Sequence, residues 1–230
     1  QRVPFAFGLL HFDLLTCAFR FAVLLFRIMP ESSNDAPRNC SVVYRLLADL
    51  WAKELTRPRW QTLASPDVRS HWISLGGADP ASYESQLDEL AEAYCRLFVG
   101  PVGHLPPIQS VWTDGELQSG VVASLNEFAS ISGYESPWAE LFPDHLANIL
   151  QLMAQVQDQS THESEPARRA EAVEFITTLF AQHLNWAFLF LERVSAQEPE
   201  GFYGGLSRVT NSFLRAEQAL YPVDDPDTVS

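Results

Sequence analysis

Lysine is almost missing from this sequence: Lys53 is the only one, and 15 basic residues face 29 acidic ones for a formal charge of −14. So acidic a chain repels a phosphate backbone, which argues against nucleic-acid binding through a basic face. The same field attracts a cationic peptide and speeds its arrival. Cysteine is also scarce. Cys17, Cys40 and Cys95 show no C-x-x-C spacing and no paired histidines, so neither a zinc site nor a redox pair is indicated. An odd, sparse set suits a reducing compartment better than a disulfide scaffold, and Cys95 reads as a small buried hydrophobe. Phosphate-cradling glycine loops, nucleophile elbows and H-E-x-x-H are absent, and the six histidines form no i, i+4 pair. The expectation is therefore no metal, no cofactor and no enzyme. Asp144-His145 comes nearest to an acid–base unit, but neighbouring helix residues point apart and no nucleophile is placed beside them.

Long apolar runs are missing too. The stretch Leu14–Phe26 is interrupted by Arg20 and is short for a membrane span. Met29 then introduces a polar lead-in, and we read it as the biological start, with residues 1–38 an extension outside the native fold. An amphipathic segment lying on a membrane surface is the alternative for this stretch. Without Arg2, Arg20, Arg27 and Asp13, 12 basic and 28 acidic residues remain, so the rest of the chain carries −16.

What is present is a normal globular balance, 47% apolar and 19% charged, with 15 Phe, 6 Trp and 6 Tyr. The apolar residues recur at helical spacing, with no convincing period-2 strand. Asn39 can cap a helix to about Leu55 with Val43, Leu46, Leu47, Leu50 and Trp51 on its apolar face. Ser65-Pro66 opens another that ends at Gly76-Gly77. From Asp79-Pro80, Tyr83, Leu87, Leu90, Tyr94, Leu97 and Phe98 predict one unbroken helix stopped by Gly100-Pro101. A loop from Val102 to Trp112 follows, then helices over about Leu117–Ile131 and Asp144–Val156. A polar connection, Gln157–Glu165, precedes a segment opened by Pro166 that is one long helix or two bent near Asn185. A last helix carries Phe202, Leu206, Val209, Phe213 and Leu220. Gly204-Gly205 inside it reads as a close-packing site rather than a phosphate loop. The fold class is all-α: a single helical domain of about seven to nine amphipathic helices over residues 39–221, with an acidic tail at 222–230.

Taken residue by residue, Asp144 reads as a helix-start carboxylate accepting backbone N–H bonds, and His145 and His183 as satisfied, partly buried histidines. The order of the motifs says more. Tyr94-Cys95-Arg96-Leu97-Phe98-Val99-Gly100-Pro101, then Pro106-Pro107 and Ser110-Val111-Trp112, resembles the central signature of the TorD/DmsD/NarJ-like chaperones. Pro143-Asp144-His145-Leu146 is similar to that family's E-P-x-D-H-L segment, with Leu141 and Phe142 where Glu and Pro usually stand. Phe180–Trp186 and Phe202–Leu206 resemble its F-x-x-H-L-x-x-W and F-Y-x-x-L patterns, the tryptophan one place early. The resemblance implies a TorD-like, cytoplasmic, non-catalytic chaperone. Its partner would be the apoprotein and twin-arginine signal peptide of a molybdopterin-containing oxidoreductase, with no more than transient membrane contact. Carried over residue by residue, the implied signal-peptide-binding set is Leu97, Phe98, Pro101, Trp112, Pro143, Asp144 and His145. The expected form of that site is an apolar cleft with an acidic lip, Asp144 on the lip. The alternative is a non-catalytic assembly or interaction subunit of a membrane respiratory complex.

Overall fold

The helical periodicity resolves into ten α-helices, and no strand, among the described residues, 40–220, of the computed structural model. The extension 1–38 with Met29, the Asn39 cap, and the acidic tail 222–230 lie outside the described residues. In chain order the helices are α1 Ser41–Ala52, α2 Arg57–Leu63, α3 Pro66–Ser74, α4 Leu87–Tyr94 and α5 Gln109–Thr113. They continue with α6 Gly120–Ser132, α7 Leu146–Thr161, α8 Pro166–His183, α9 Ala187–Gln197 and α10 Phe202–Gln218. Helix α1 packs along α7, α8 lies beside α7, and α9 pairs with α10.

The core forms where these pairs meet. Tyr44, Leu47, Ala48, Trp51 and Leu55 fall on one stripe at helical spacing and are fully buried. Trp51 stands edge-on to Phe190 at 5.2 Å and to Phe98 at 5.6 Å, while its indole N–H donates to Thr210 Oγ1 at 3.0 Å. A ring of this size stays fully buried because its one polar atom is satisfied. Tyr44 meets Phe213 edge-on at 4.7 Å, which closes the other end of the α1–α10 contact.

Three local outcomes differ from the sequence reading, each for a physical reason. The unbroken helix predicted from Pro80 changes pitch twice, from a 3-10 turn at Pro80–Gln86, through α4, to a π-helical turn at Cys95–Val99. In an α-helix the Leu97 carbonyl would accept from residue 101, which is proline and has no N–H. It accepts instead from the Leu105 amide at 2.6 Å, and Gly100 N–H reaches back five residues to Cys95 at 2.7 Å. The wider turn keeps both Leu97 and Phe98 in the core and leaves Cys95 exposed, not buried as expected. Second, α7 runs on to Thr161, through residues read as a connection. Gln157 earns its place inside: its Oε1 accepts the Cys40 amide at 3.1 Å and its Nε2 donates to Glu217 at 2.8 Å. Third, Gln109–Thr113 forms α5 where the reading has a loop running to Trp112, while the segment after Pro166 is two helices, α8 and α9, broken around Asn185 as one of its two readings has it.

The glycine pair near the start of α10 is not one feature but two. A Cβ on Gly204 would stand 1.8 Å from the Glu198 carbonyl oxygen, whereas one on Gly205 meets nothing nearer than an arginine tip at 3.8 Å. Gly204→Ala is expected to destabilise the fold by about 1–3 kcal/mol through backbone overpacking. Gly205→Ala, freed of glycine's entropy cost, should be neutral or stabilising by up to about 1 kcal/mol. Urea unfolding of the two variants checks the contrast, and equal midpoints would contradict it.

Candidate functional site

Helix α5 has only five residues, too few to hold itself together, so its position has to come from contacts outside it. They come from the Pro143–Leu146 segment. The Gln109 amide donates to the Asp144 carbonyl at 3.0 Å and the Leu146 amide to the Pro107 carbonyl at 2.8 Å, an antiparallel bridge between Ile108 and His145. Asp144 Oδ2 then accepts the Ser110 amide at 2.9 Å. The carboxylate thus caps the N-terminus of α5 from a different segment, while its own helix is capped by His145, whose Nδ1 accepts the Ala147 amide at 3.1 Å. Asp144 accepts a backbone N–H as expected, but at the start of α5 instead of α7, and His145 takes the cap of α7.

His183 secures α5 from the other side. Gln109 Nε2 donates to the Gln182 carbonyl at 2.8 Å, which turns its Oε1 toward His183 Nδ1 at 3.0 Å. An acceptor there requires the proton on Nδ1, and so Nε2 accepts from the Ser124 hydroxyl at 3.0 Å. One neutral imidazole thereby joins α5, α6 and α8. Burial drives the pKa of both His145 and His183 from 6.5 down to about 4, so each stays neutral in its accepting role.

The seven residues singled out from sequence are brought into one region but not onto one surface. Asp144 is 0% exposed and His145 5%, and Leu97 and Phe98 are equally buried, so these four form a frame. Trp112 is half-buried, edge-on to Phe190 at 5.7 Å, its indole N–H donating to the Pro106 carbonyl at 2.7 Å. Pro101 and Pro143 are exposed. A recess of about 210 Å³ opens beside Pro143, lined among others by Leu125, Tyr134, Trp138, Leu141 and Leu152. Its lining carries no carboxylate, and the nearby Glu140 is paired with Lys53. The acidic lip with Asp144 on it is therefore corrected: that carboxylate lies inside, spent on Ser110. Its second oxygen, Oδ1, has no hydrogen-bond partner among the described residues. Sequence reasoning passed over Gln109, because its partners are remote in sequence and nothing local marks it.

Among the described residues no group of three or more His, Cys, Asp or Glu is placed to hold a metal ion, and no helix is long and apolar enough to cross a membrane. The loop end is thus a buried polar frame carrying exposed apolar residues. Comparison with known proteins gives the family. The family model described as nitrate reductase delta subunit matches residues 62–192. Chaperone protein TorD of Shewanella pealeana is 28% identical over 214 residues, covering 80% of this chain and 90% of that protein. Chaperone protein TorD of Shewanella loihica is 27% identical over 198 residues, covering 75% and 88%. Chaperone protein YcdY of Escherichia coli is 28% identical over 131 residues, 56% of this chain and 64% of that protein, so the chain spans somewhat less than two thirds of that relative. No solved structure matches the chain. The chain belongs to the nitrate reductase delta subunit family, as a TorD-like maturation chaperone.

Two outcomes test this anatomy. Asp144→Ala leaves the buried Ser110 amide without its acceptor and should cost about 1–3 kcal/mol of stability, whereas Asp144→Asn keeps an acceptor oxygen and should cost less. Chemical denaturation measures both, and an Asp144→Ala variant as stable as the parent would remove the anchor. The histidines set a pH dependence. Their folded pKa of about 4 lies below the ordinary 6.5, so on acidification the unfolded chain takes up protons that the fold refuses. Their stabilising contribution is whole above the unfolded value and is lost as pH falls from about 6.5 toward 4, at up to about 1.4 kcal/mol per pH unit for each histidine. His183→Gln should flatten the slope between pH 6.5 and 4.5 (roughly the window between those two values) when unfolding is followed across it; an unchanged slope would mean that His183 does not titrate this way.

Proposed function

We propose that this protein is a cytoplasmic, non-catalytic chaperone for a molybdopterin-containing oxidoreductase. It binds the twin-arginine signal peptide or the apoprotein, assists cofactor insertion and delays export. The observation that carries this reading is the junction of the two family segments, Pro106–Trp112 and Pro143–His145, through the Ile108–His145 bridge and the Asp144 cap. Names of relatives as TorD chaperones over most of the chain support it. Trp112, Pro101 and Pro143 supply apolar contact for the greasy stretch of a leader, in the manner of amphipathic segments seated between helices. Leu97, Phe98, Asp144 and His145 act from beneath, holding the loops that carry those contacts. Should the Ile108–His145 bridge part, the unused Oδ1 of Asp144 is the group that an arginine would meet.

The family description, a delta subunit, favours a second reading: an assembly or interaction subunit that stays with a membrane respiratory complex. Affinity purification of the tagged chain from its own cells separates the two. Recovery of a soluble, cofactor-poor oxidoreductase with its leader still attached is the expected result. Recovery only with the mature, membrane-bound complex would replace the chaperone reading by the subunit one.

A further inference from the structure

Apolar ground ringed by carboxylates does exist on this molecule, outside the lining of the Pro143 recess. It lies between α6 and α8, in a groove of about 380 Å³. On α6 the lining residues Ser124, Glu127, Phe128 and Ile131 follow one helical stripe; on α8 Glu171, Glu174, Phe175, Thr178 and Gln182 follow another. Phe128 and Phe175 meet edge-on at 4.9 Å to make the floor, and Ile131 on the rim is 68% exposed. An isoleucine left so open beside two half-buried rings is an apolar surface without a cover.

The charge of the rim selects the cover. Glu127, Glu171 and Glu174 are exposed and form no ion pair among the described residues. The arginines in the first turns of α8 do not neutralise them: Arg168 pairs with Glu165 and Arg169 donates to the Glu163 carbonyl. From residue 171 to 182 the α8 stripe runs about 16 Å, room for about five residues of extended chain. Guanidinium groups suit it twice over, because they pair with carboxylates and stack on aromatic faces.

We propose that the groove between α6 and α8 seats the arginine-bearing part of the client's leader, a basic peptide with flanking apolar side chains. This rests on the chaperone reading above and deepens it. The groove is tied to the loop site through buried bonds: Ser124, which lines its wall, is hydrogen-bonded to His183, and His183 holds Gln109 at the base of the Trp112 helix. The basic end of a leader occupies the groove and its apolar stretch runs on to Trp112.

The test uses the full chain and two fluorescent synthetic peptides, one with adjacent arginines followed by a leucine- and alanine-rich run, the other with glutamines for the arginines. Replacing Glu127, Glu171 and Glu174 together by Gln should weaken the arginine peptide about tenfold at low salt. The loss should shrink in high salt, and the glutamine peptide should be unaffected. Ile131→Ser should weaken both peptides. Far-ultraviolet circular dichroism of the variants should match the parent, since these side chains are exposed. If the triple variant binds the arginine peptide as the parent does while Trp112→Ala weakens it, the groove proposal fails and the chaperone reading stands. If the parent binds neither peptide, the groove proposal and the leader-binding form of the chaperone reading both fail, and the apoprotein form rests on the affinity purification above. Concentration-dependent self-association abolished by the same substitutions gives the groove to a second copy and overturns the proposal.

Discussion

The bond from the Ser110 amide to the buried Asp144 carboxylate sets the arrangement of everything at the loop end of the molecule. Helix α5 is a single turn and contributes almost no cooperativity of its own, so it forms only where its free amides find acceptors. Asp144 supplies one, its backbone carbonyl supplies the next, and Gln109 is then clamped between the Gln182 carbonyl and His183. Trp112 sits where it does as a consequence. A carboxylate is costly to bury unless hydrogen-bonded. Asp144 keeps one oxygen without a partner among the described residues, so the site end holds an unmet demand for a donor.

The same bonds bear on chemistry. His145 and His183 both act through a nitrogen that must accept a hydrogen bond, and burial keeps both neutral. The accepting lone pair of His145 is taken by the Ala147 amide and that of His183 by the Ser124 hydroxyl. The pair that most resembled acid–base machinery is thus two helix caps, one for each of two helices.

How much of this could be read from sequence depends on the range of the forces involved. Proline-opened helices at Pro66 and Pro166 are local effects, and they stand where the pattern put them. The stripe on α1 was visible for the same reason, although Tyr44 and Ala48 go deeper than Val43 and Leu46. The π turn at Cys95–Val99 depends on the Leu97 carbonyl finding Leu105 once Pro101 denies it a donor, a bond across a loop that periodicity does not register. Helix α5 was hidden because the groups that hold it lie beyond Asp144 and at His183. The continuation of α7 past Val156 was hidden because Gln157, polar and apparently surface-bound, finds its partners in Cys40 and Glu217. The motifs identified the two loops that meet; they could not tell which of their residues face inward.

On the function proposed above, burial divides recognition between the two regions. On that proposal an arginine meets the Asp144 carboxylate only after the two bridge bonds, Gln109 N–H to the Asp144 carbonyl and Leu146 N–H to the Pro107 carbonyl, are exchanged for bonds to water. Exposed carboxylates on the α6–α8 rim ask for no such opening: pairing there removes little hydration from either partner and is screened by salt. The apolar part of a leader has the opposite requirement, because its gain grows with the area removed from water, and Trp112 with the Pro143 recess offers that area. A peptide with its charges at one end and its apolar residues at the other is therefore best served by two surfaces of different character. His183, neutral and bonded to both Gln109 and Ser124, is the side chain that ties the helices carrying them together.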